Sequence, residues 1–357
     1  MALDLNAFKG KRVFITGHNG FKGAWLTKVL TMAGASVTGY SLKPTVTPNH
    51  FELLGLGNAV NSIEGDIRDL KKLQDSIAAA APEVVFHLAA QALVRKSYAD
   101  PIETISTNVL GSANLLEAVR NTASVKALVY ITSDKAYENV EWEWGYREND
   151  LLGGRDPYSA SKGAAELIFS TYLRSYFEER AGFGAASARA GNVIGGGDWS
   201  ADRIIPDAIR AIESGNPVQL RNPNATRPWQ HVLEPISGYL LLAENLLKDP
   251  KKYSSSWNFG PRPNQSRKVV EIVSDFVNFY GKGSFEISTE TSSQHEAGLL
   301  QLNCDKANNL LSWEAKWDVS YAVKQTADWY KRYAAGEASS AITSEQIVDY
   351  FPQLARS

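Results

Sequence analysis

Tyr158 and Lys162 are four residues apart in the sequence PYSASK, a spacing that puts both side chains on one face of a helix. A free tyrosine has a pKa of about 10 and is a poor base at neutral pH. A nearby lysine ammonium favours the phenolate and lowers that pKa. We therefore predict that the pair removes a proton from a hydroxyl while hydride leaves the same carbon. Because this spacing is common by chance on surface helices, the prediction depends on the residues that precede it.

A polar cluster, Ser133-Asp134-Lys135, directly follows the apolar run 128–132. Enzymes with parallel sheets place their chemistry at the carboxyl ends of strands, which is where this cluster falls. Ser133 is a candidate partner for the hydroxyl that Tyr158 deprotonates, and Asp134 is a candidate general acid if burial raises its pKa. The alternative for Asp134 is an ordinary polar turn after a strand.

Glycines occupy positions 17, 20 and 23, between a predicted strand and a predicted helix. One glycine permits a tight turn, one lets backbone N–H groups reach a pyrophosphate, and one allows the helix to pack closely on the strand. The positive end of the helix then faces the phosphates. This context predicts a dinucleotide site, and the lack of a following Gly-Lys-Ser/Thr argues against a P-loop.

The second predicted strand, 36–40, ends without the acid that usually binds the adenosine ribose of NAD. Local chemistry therefore leaves NAD and NADP open, and Lys43 is compatible with a 2′-phosphate. On local grounds the next acid, Asp66, has the ordinary alternative of a loop or helix-capping aspartate.

These residues need a parallel sheet to bring them together, and the N-terminal half has the alternation that βαβ units require. The predicted strands are 12–16, 36–40, 84–88, 128–132, 185–189 and 257–259, and the predicted helices are 23–33, 70–81, 102–122, 159–181 and 235–247. We predict an α/β fold, a Rossmann-type doubly wound parallel sheet with a smaller α/β substrate-binding domain. The predicted nucleotide domain is discontinuous, 1–194 plus 229–260, and the smaller domain comprises 195–228 plus 261–357.

Composition narrows the class of protein. The net charge of −2 over 357 residues argues against a nucleic-acid partner. No run approaches the about 18 uninterrupted apolar residues of a membrane span, and we expect no signal peptide. The single cysteine, Cys304, excludes an intrachain disulfide and predicts a reducing, cytoplasmic compartment. The histidines lack ligand spacing, so we predict no metal site; they are His18, His50, His87, His231 and His295.

With these residues placed, the chain resembles the nucleotide-sugar 4,6-dehydratases, a branch of the extended short-chain dehydrogenase/reductases, from about residue 10 to residue 317. The supporting stretches are TGHNGFKGAWL, FHLAAQALVRKSYADP, TSDKAYENVEWEWGYREND, DPYSASKGAAEL, ARAGNVIGGGDW and RNPNATRPWQHVLEP. The glycine turn and the Tyr–Lys spacing mark only the superfamily. The Asp134-Lys135 pair, WGYREND and RPWQHVLEP point to the members that act on CDP-D-glucose.

The resemblance implies a redox-neutral reaction with tightly held NAD. Tyr158 would deprotonate the C4 hydroxyl of CDP-D-glucose, and Asp134 would protonate the hydroxyl that leaves C6. The product, CDP-4-dehydro-6-deoxy-D-glucose, feeds dideoxyhexose synthesis for bacterial O-antigen and other surface polysaccharide. Relatives that act on dTDP-glucose or GDP-mannose carry glutamate where this chain has Lys135, and that glutamate takes the C5 proton. Lys135 would need a lowered pKa to do so, or it would stabilise the enolate while another group moves the proton.

The resemblance also implies the residues that contact the ligands. Cofactor contacts are Gly17, Asn19, Gly20, Phe21, Lys22, Gly23, Asp66, Ile67, Leu88, Ala89, Ala90, Gln91, Asn108, Tyr158, Lys162 and Arg189. Substrate contacts are Ser133, Tyr146, Asn192, Arg203, Arg221, Arg227 and His231. The arginines would supply bidentate donors to the diphosphate, although taken alone each of them except Arg227 favours the alternative of a solvated surface residue. A structural role for His231 is an equal alternative. Such relatives pair two long helices per subunit, so we expect a homodimer, or a tetramer, through the helices from Ile102 and Ser159.

Two alternatives stay open. A 4-epimerase or reductase on the same scaffold, or a dehydratase for a dTDP-, UDP- or GDP-hexose, would share Tyr158 and Lys162. An epimerase would not need Asp134 with an elimination partner. A non-catalytic dinucleotide sensor is the alternative of another class, but such proteins often lose the Tyr–Lys pair. Residue chemistry alone does not choose the nucleotide base.

Overall fold

The computed structural model describes residues 3–262, 265–288 and 298–356, so His295 lies outside the described residues. The strands are β1 Arg12–Thr16, β2 Ser36–Ser41, β3 Asn61–Glu64, β4 Val84–His87, β5 Ala127–Ile131, β6 Gly184–Ala190, β7 Val193–Ile194, β8 Val218–Leu220, β9 Thr226–Arg227, β10 Gln230–His231, β11 Ser256–Phe259, β12 Arg267–Lys268 and β13 Phe285–Ile287. The helices are α1 Phe21–Met32, α2 His50–Leu53, α3 Leu70–Ala80, α4 Val94–Ala99, α5 Pro101–Ile105, α6 Ser112–Arg120, α7 Pro157–Tyr172, α8 Ile204–Glu213, α9 Leu233–Lys248, α10 Pro250–Tyr253, α11 Val269–Tyr280, α12 Asp305–Leu311, α13 Val319–Ala334 and α14 Ser339–Tyr350.

Seven of the described strands form one parallel sheet in the order β3-β2-β1-β4-β5-β6-β11. The strand order reverses between β1 and β4, and open α/β sheets bind their ligands in the crevice at such a point, outside the carboxyl ends of the strands. The predicted fold class is confirmed. The sequence patterns missed β3, because its side chains are mostly exposed and show no apolar alternation.

Helices cover both faces of the sheet, which explains why its central strands are buried on both sides and nearly continuous in apolar residues. One face packs in a core that includes Trp25, Leu240 and Trp257. The other face packs in a core that includes Leu73 and Phe169.

The helix boundaries matter most near the predicted site. Helix α1 begins at Phe21, two residues earlier than predicted, so its first turn lies within the glycine turn. Helix α7 begins at Pro157 and is capped by Asp156, whose carboxylate accepts the N–H of Ser159 at 3.0 Å. The predicted helix 102–122 is α5 and α6 joined by a π-type turn, Ser106–Gly111. The predicted helix 159–181 is α7 followed by a second π-type turn, Leu173–Phe177.

Beyond residue 191 the chain leaves the sheet and returns to it. Three short strand pairs, β7 with β10, β8 with β13 and β9 with β12, lie outside the main sheet, whereas β11 pairs with β6 inside it. The proposed division into two domains stays a prediction. Across the described ranges, no helix is long and apolar enough to cross a membrane, and no group of three or more His, Cys, Asp or Glu side chains could hold a metal ion.

Candidate active site

A cavity of about 820 Å³ opens at the carboxyl ends of the central strands. It brings together most of the predicted site residues, from segments that lie far apart in the chain. Those that line it are Gly17, Asn19, Gly20, Phe21, Lys22, Gly23, Asp66, Ile67, Leu88, Ala89, Ala90, Gln91, Ser133, Asp134, Lys135, Tyr158, Lys162, Asn192, Arg203, Arg221 and Arg227. The structure places these side chains at the cavity, and the ligand that each of them contacts stays a prediction.

The glycine turn is shaped so that only glycine fits at two of its positions. Gly17 has a φ of +76°, and a Cβ there would lie 2.7 Å from the backbone nitrogen of Ala89. A Cβ at Gly23 would lie 2.0 Å from the carbonyl oxygen of Gly17. The first N–H groups of α1 have no intrahelical acceptor, and Phe21, Lys22 and Gly23 line the cavity. The open end of α1, next to two positions that carry no side chain, fits the pyrophosphate of a dinucleotide.

The end of β2 beside the turn is occupied by His18, which sequence reasoning missed. Its ring nitrogens hydrogen-bond to the hydroxyls of Ser41 at 2.8 Å and Ser62 at 2.7 Å. Burial lowers the pKa of His18 to about 4, so the ring is neutral at physiological pH. The signal for it is Gly39, where a Cβ would lie 2.2 Å from this ring. Asn19 donates to the carbonyl of Leu42 at 2.7 Å.

Two charged groups lie at the adenosine end of the predicted cofactor site. Asp66 pairs with Arg68 at 2.5 Å, and the side-chain hydrogen bond from Arg68 holds the pKa of Asp66 below its usual value. Lys43 lies 3.5 Å from Glu64, and both side chains are mostly exposed. The positive charge that could have selected a 2′-phosphate therefore has a carboxylate beside it.

Asn108 does not line the cavity but holds the loop that follows β4. Its side-chain oxygen accepts the N–H of Gln91 at 2.8 Å, and its amide donates to the carbonyl of Gln91 at 3.0 Å. The same amide donates to the hydroxyl of Ser161 on α7 at 2.9 Å. Asn108 thus ties the loop of Ala89 and Ala90 to the helix that carries Tyr158.

Tyr158 and Lys162 face the cavity from α7, with Lys162 Nζ 5.9 Å from the centre of the tyrosine ring. Burial raises the pKa of Tyr158 to about 12, although the hydrogen bond to Ser133 and the charge of Arg203 act to lower it. Desolvation of the phenolate is the largest influence on this pKa, and the lowering of the pKa by Lys162 stays a prediction. Burial and the nearby Lys22 also lower the pKa of Lys162, to about 8.

Asp134 meets the condition set for a general acid. Its side chain is 2% exposed, and burial raises its pKa despite Lys135, the hydrogen bond from Ser133 and the charge of Lys22. Oδ1 accepts the Ser133 hydroxyl at 3.0 Å, whereas Oδ2 is buried and has no hydrogen-bond partner. An orphaned oxygen on a buried carboxyl of raised pKa suits a proton donor to a bound hydroxyl.

Asn192 and the three predicted arginines come from the segments after β6. Arg203 pairs with Asp198 at 2.9 Å and its charge acts on Tyr158. Arg221 lies 3.7 Å from Asp202. Arg227 donates to the carbonyls of its neighbour Thr226 at 3.0 Å and of residue 298 at 3.3 Å.

Besides Asn108, three predicted residues do not line the cavity. Arg189, predicted to contact the cofactor, is 2% exposed and pairs with Glu166 at 2.9 Å. Tyr146 stacks on Tyr137 at 5.2 Å between ring centres and bonds to the loop at residues 139 and 140 through its hydroxyl. His231 is fully buried against Trp25 and Trp317, and burial lowers its pKa to about 3. The surroundings of His231 are therefore those of a structural residue in the core.

Comparisons with known proteins agree with this geometry. A family model described as GDP-mannose 4,6 dehydratase matches residues 14–326. The CDP-glucose 4,6-dehydratase of Salmonella typhimurium is 48% identical over 99% of this chain and 100% of that protein.

Solved structures show the same fold. A UDP-glucose 4-epimerase from Thermus thermophilus in complex with NAD has a TM-score of 0.78 and 25% identity, covering 90% of this chain and 99% of that one. A dTDP-glucose 4,6-dehydratase from Bacillus anthracis in complex with NAD has a TM-score of 0.76 and 21% identity, covering 90% of this chain and 97% of that one.

Proposed function

The chain belongs to the nucleotide-sugar dehydratase family described by the GDP-mannose 4,6 dehydratase model, and from this premise we propose that it is a hydro-lyase that converts CDP-D-glucose into CDP-4-dehydro-6-deoxy-D-glucose and water. The observation that carries the proposal is Asp134, a buried carboxyl of raised pKa with one orphaned oxygen, in the cavity that also holds Ser133 and Tyr158. Elimination of water needs such an acid and 4-epimerisation does not. The 48% identity over 99% of the chain supports CDP as the nucleotide.

The residues present fit NAD. The turn at Gly17 and Gly23 and the start of α1 would hold its pyrophosphate, Asp66 and Ile67 would face its adenosine half, and the loop from Ala89 would face its nicotinamide half. NAD, when bound, supplies a hydride acceptor for C4 and then a hydride donor for C6, which makes the reaction redox-neutral. Solved relatives carry NAD in the corresponding fold.

The first chemical task of the chain is to remove the C4 hydroxyl proton. Ser133 orients that hydroxyl and Tyr158 accepts the proton. Because burial raises the pKa of Tyr158 to about 12, its deprotonation depends on nearby positive charge. Lys162, whose Nζ lies 5.9 Å from the ring centre, and Arg203, fixed by Asp198, supply it.

The second task is to expel water. Once C4 is a ketone, the C5 proton is acidic, and Lys135 either removes it or stabilises the enolate from the end of β5. Asp134 protonates the departing C6 hydroxyl through Oδ2. Arg221, Arg227 and Asn192 lie on the cavity wall where they can bind the diphosphate.

The proposal is tested with CDP-, dTDP-, UDP- and GDP-hexoses, each incubated with the enzyme without added reductant. We expect CDP-D-glucose to give a 4-ketosugar by mass spectrometry, with no net accumulation of NADH, and the other nucleotides to react far more slowly. A 4-epimer as the product, or preference for another nucleotide, would contradict it.

A homodimer is part of the proposal. Ile102, Leu110 and Leu167 lie on the two helical segments expected to pair, and they are 73%, 55% and 58% exposed, respectively. Apolar side chains exposed together on neighbouring helices suit a four-helix interface between two copies. We expect a dimer in sedimentation velocity that Leu167→Glu disrupts and the control Leu151→Glu, at a site 76% exposed outside these helices, does not. A monomeric wild type would contradict it.

We also place the protein in the cytoplasm. A single cysteine fits a reducing compartment, and burial raises the pKa of the Cys304 thiol to about 12, which disfavours the reactive thiolate.

A further inference from the structure

Glu166 and Arg189 form an ion pair beneath the cavity, and the proposed chemistry does not use it. Arg189 Nη2 lies 2.9 Å from Glu166 Oε2, and the two side chains are 2% and 1% exposed. Removing two charges from water is costly, and a hydrophobic pair of similar volume often stabilises a fold equally well. Stability alone therefore does not account for the pair.

The carboxylate of Glu166 contacts the residue that directly follows β5, the strand that leads to Ser133 and Asp134. Oε1 accepts the hydroxyl of Thr132, the residue before Ser133. Oε2 accepts the hydroxyl of Ser187 on β6 at 2.8 Å, in addition to the guanidinium of Arg189. Burial works against the charge of Glu166, but Arg189 and these hydrogen bonds leave the pKa of Glu166 below its usual value, so it is an anion.

The position of Glu166 on α7 links this anion to Lys162. The two residues are four apart, so both side chains lie on one face of the helix. Burial and the charge of Lys22 lower the pKa of Lys162, and Glu166 is the group that acts in the opposite direction. Without it, the ammonium beside Tyr158 would lose its proton closer to neutral pH.

We infer that Glu166 is a positioning residue of the proposed dehydratase site, which keeps Lys162 in its cationic form and holds the strand end at Thr132 and Ser133. The inference rests on the proposed function. Glu166 does not line the cavity, so it acts through these neighbours and not on the substrate.

Charged and titratable groups from several packed elements surround Lys162 and Glu166. Lys22 on α1, His87 on β4, and Tyr158 and Glu166 on α7 act on or lie beside Lys162. Arg189 on β6, together with Tyr130 and Tyr137, acts on or is affected by Glu166. Burial lowers the pKa of His87 to about 3, so it stays neutral where Lys162 titrates.

The test uses the full-length enzyme and two variants. Glu166→Gln keeps the shape of the side chain and removes its charge, but leaves Arg189 unpaired. Glu166→Gln combined with Arg189→Met removes both charges, so it separates the charge of Glu166 from the cost of an orphaned guanidinium. Glu244→Gln is the matched control, because Glu244 is a 2% exposed glutamate on α9 outside the cavity.

Two quantities are measured against pH. One is kcat with CDP-D-glucose, and the other is the rate at which acetic anhydride acetylates Lys162, quantified by mass spectrometry with the exposed Lys9 as internal reference. We expect both variants to lower the pH at which Lys162 deprotonates by about one unit. The alkaline limb of kcat should move by the same amount, with little change in KM. The control should follow the wild type.

Unchanged profiles in Glu166→Gln, or a return to the wild-type profiles in the double variant, would overturn the inference, since only structural damage would then remain. If the wild type makes no ketosugar from CDP-D-glucose, the proposed function fails. The acetylation profile still decides whether Glu166 keeps Lys162 charged.

Discussion

Gly23 leaves no room for a side chain, and Gly23→Ala is therefore a direct perturbation of the proposed dinucleotide turn. The added Cβ would lie 2.0 Å from the carbonyl oxygen of Gly17 and 2.9 Å from Cα of His18. Non-bonded heavy atoms lie about 3.5 Å apart or more, so the turn must open by more than about 1 Å. Both contacts are backbone atoms, and neither can swing aside.

The magnitude follows from the cost of overpacking, about 1–3 kcal/mol. If NAD requires the original geometry of the turn, that strain is relieved in the free protein and must be restored on binding. The affinity for NAD should then fall by about 5- to 150-fold. The protein should also unfold at lower denaturant concentration.

The affinity is measured by quenching of tryptophan fluorescence on titration with NAD, and stability by denaturant unfolding. Gly57→Ala is the matched control, because a Cβ at Gly57 would meet no atom within 4 Å, and it should bind NAD as the wild type does. A Gly23→Ala variant with wild-type affinity would refute the placement of the pyrophosphate at this turn.

Three further substitutions test the chemistry and the fold. Asp134→Asn should retain C4 oxidation but slow the loss of water by about 10²- to 10⁴-fold. The transient absorbance of reduced nicotinamide reports C4 oxidation, and ketosugar formation reports the complete reaction. Equal loss of both steps would contradict the acid role. Lys135→Met should retain C4 oxidation and lose solvent exchange at C5, and normal deuterium exchange in that variant would exclude its assigned role. Burial raises the pKa of Glu234 from 4.5 to about 7, so the folded state binds this proton more tightly than the unfolded state. A contribution of about 3 kcal/mol to the free energy of unfolding is then lost as the pH rises from the lower to the higher value. Glu234→Gln should flatten this dependence in denaturant unfolding, and an unchanged slope would argue against it.

The sequence predicted those features that local chemistry determines. The glycine turn, the Tyr–Lys pair and the polar cluster at Ser133 each depend on a short segment, and the parallel sheet follows from the alternation of apolar runs. All three segments meet in one cavity because they lie at the carboxyl ends of the strands or at the helices that follow.

The sequence could not predict what depends on contacts between distant segments. The pKa of Tyr158 is set chiefly by burial, and the groups that also act on it include Ser133 and Asp134, and Arg203, which is 45 residues away in the chain. Arg189 and His231 were predicted to contact ligands, but both side chains are buried away from the cavity. Strand register and core packing decide where each of these side chains lies. Glu166 carried no signal beyond its spacing from Lys162.

The central claim is an internal transfer of hydrogen from C4 to C6 with loss of water, and CDP-D-glucose deuterated at C4 tests it most directly. The purified enzyme is incubated with this substrate and NAD, and the product is analysed by mass spectrometry and NMR. We predict a CDP-4-dehydro-6-deoxyhexose with the deuterium in its C6 methyl group and no net NADH. A product that keeps deuterium at C4 with inverted configuration, or one formed with stoichiometric deuterated NADH, would contradict the account.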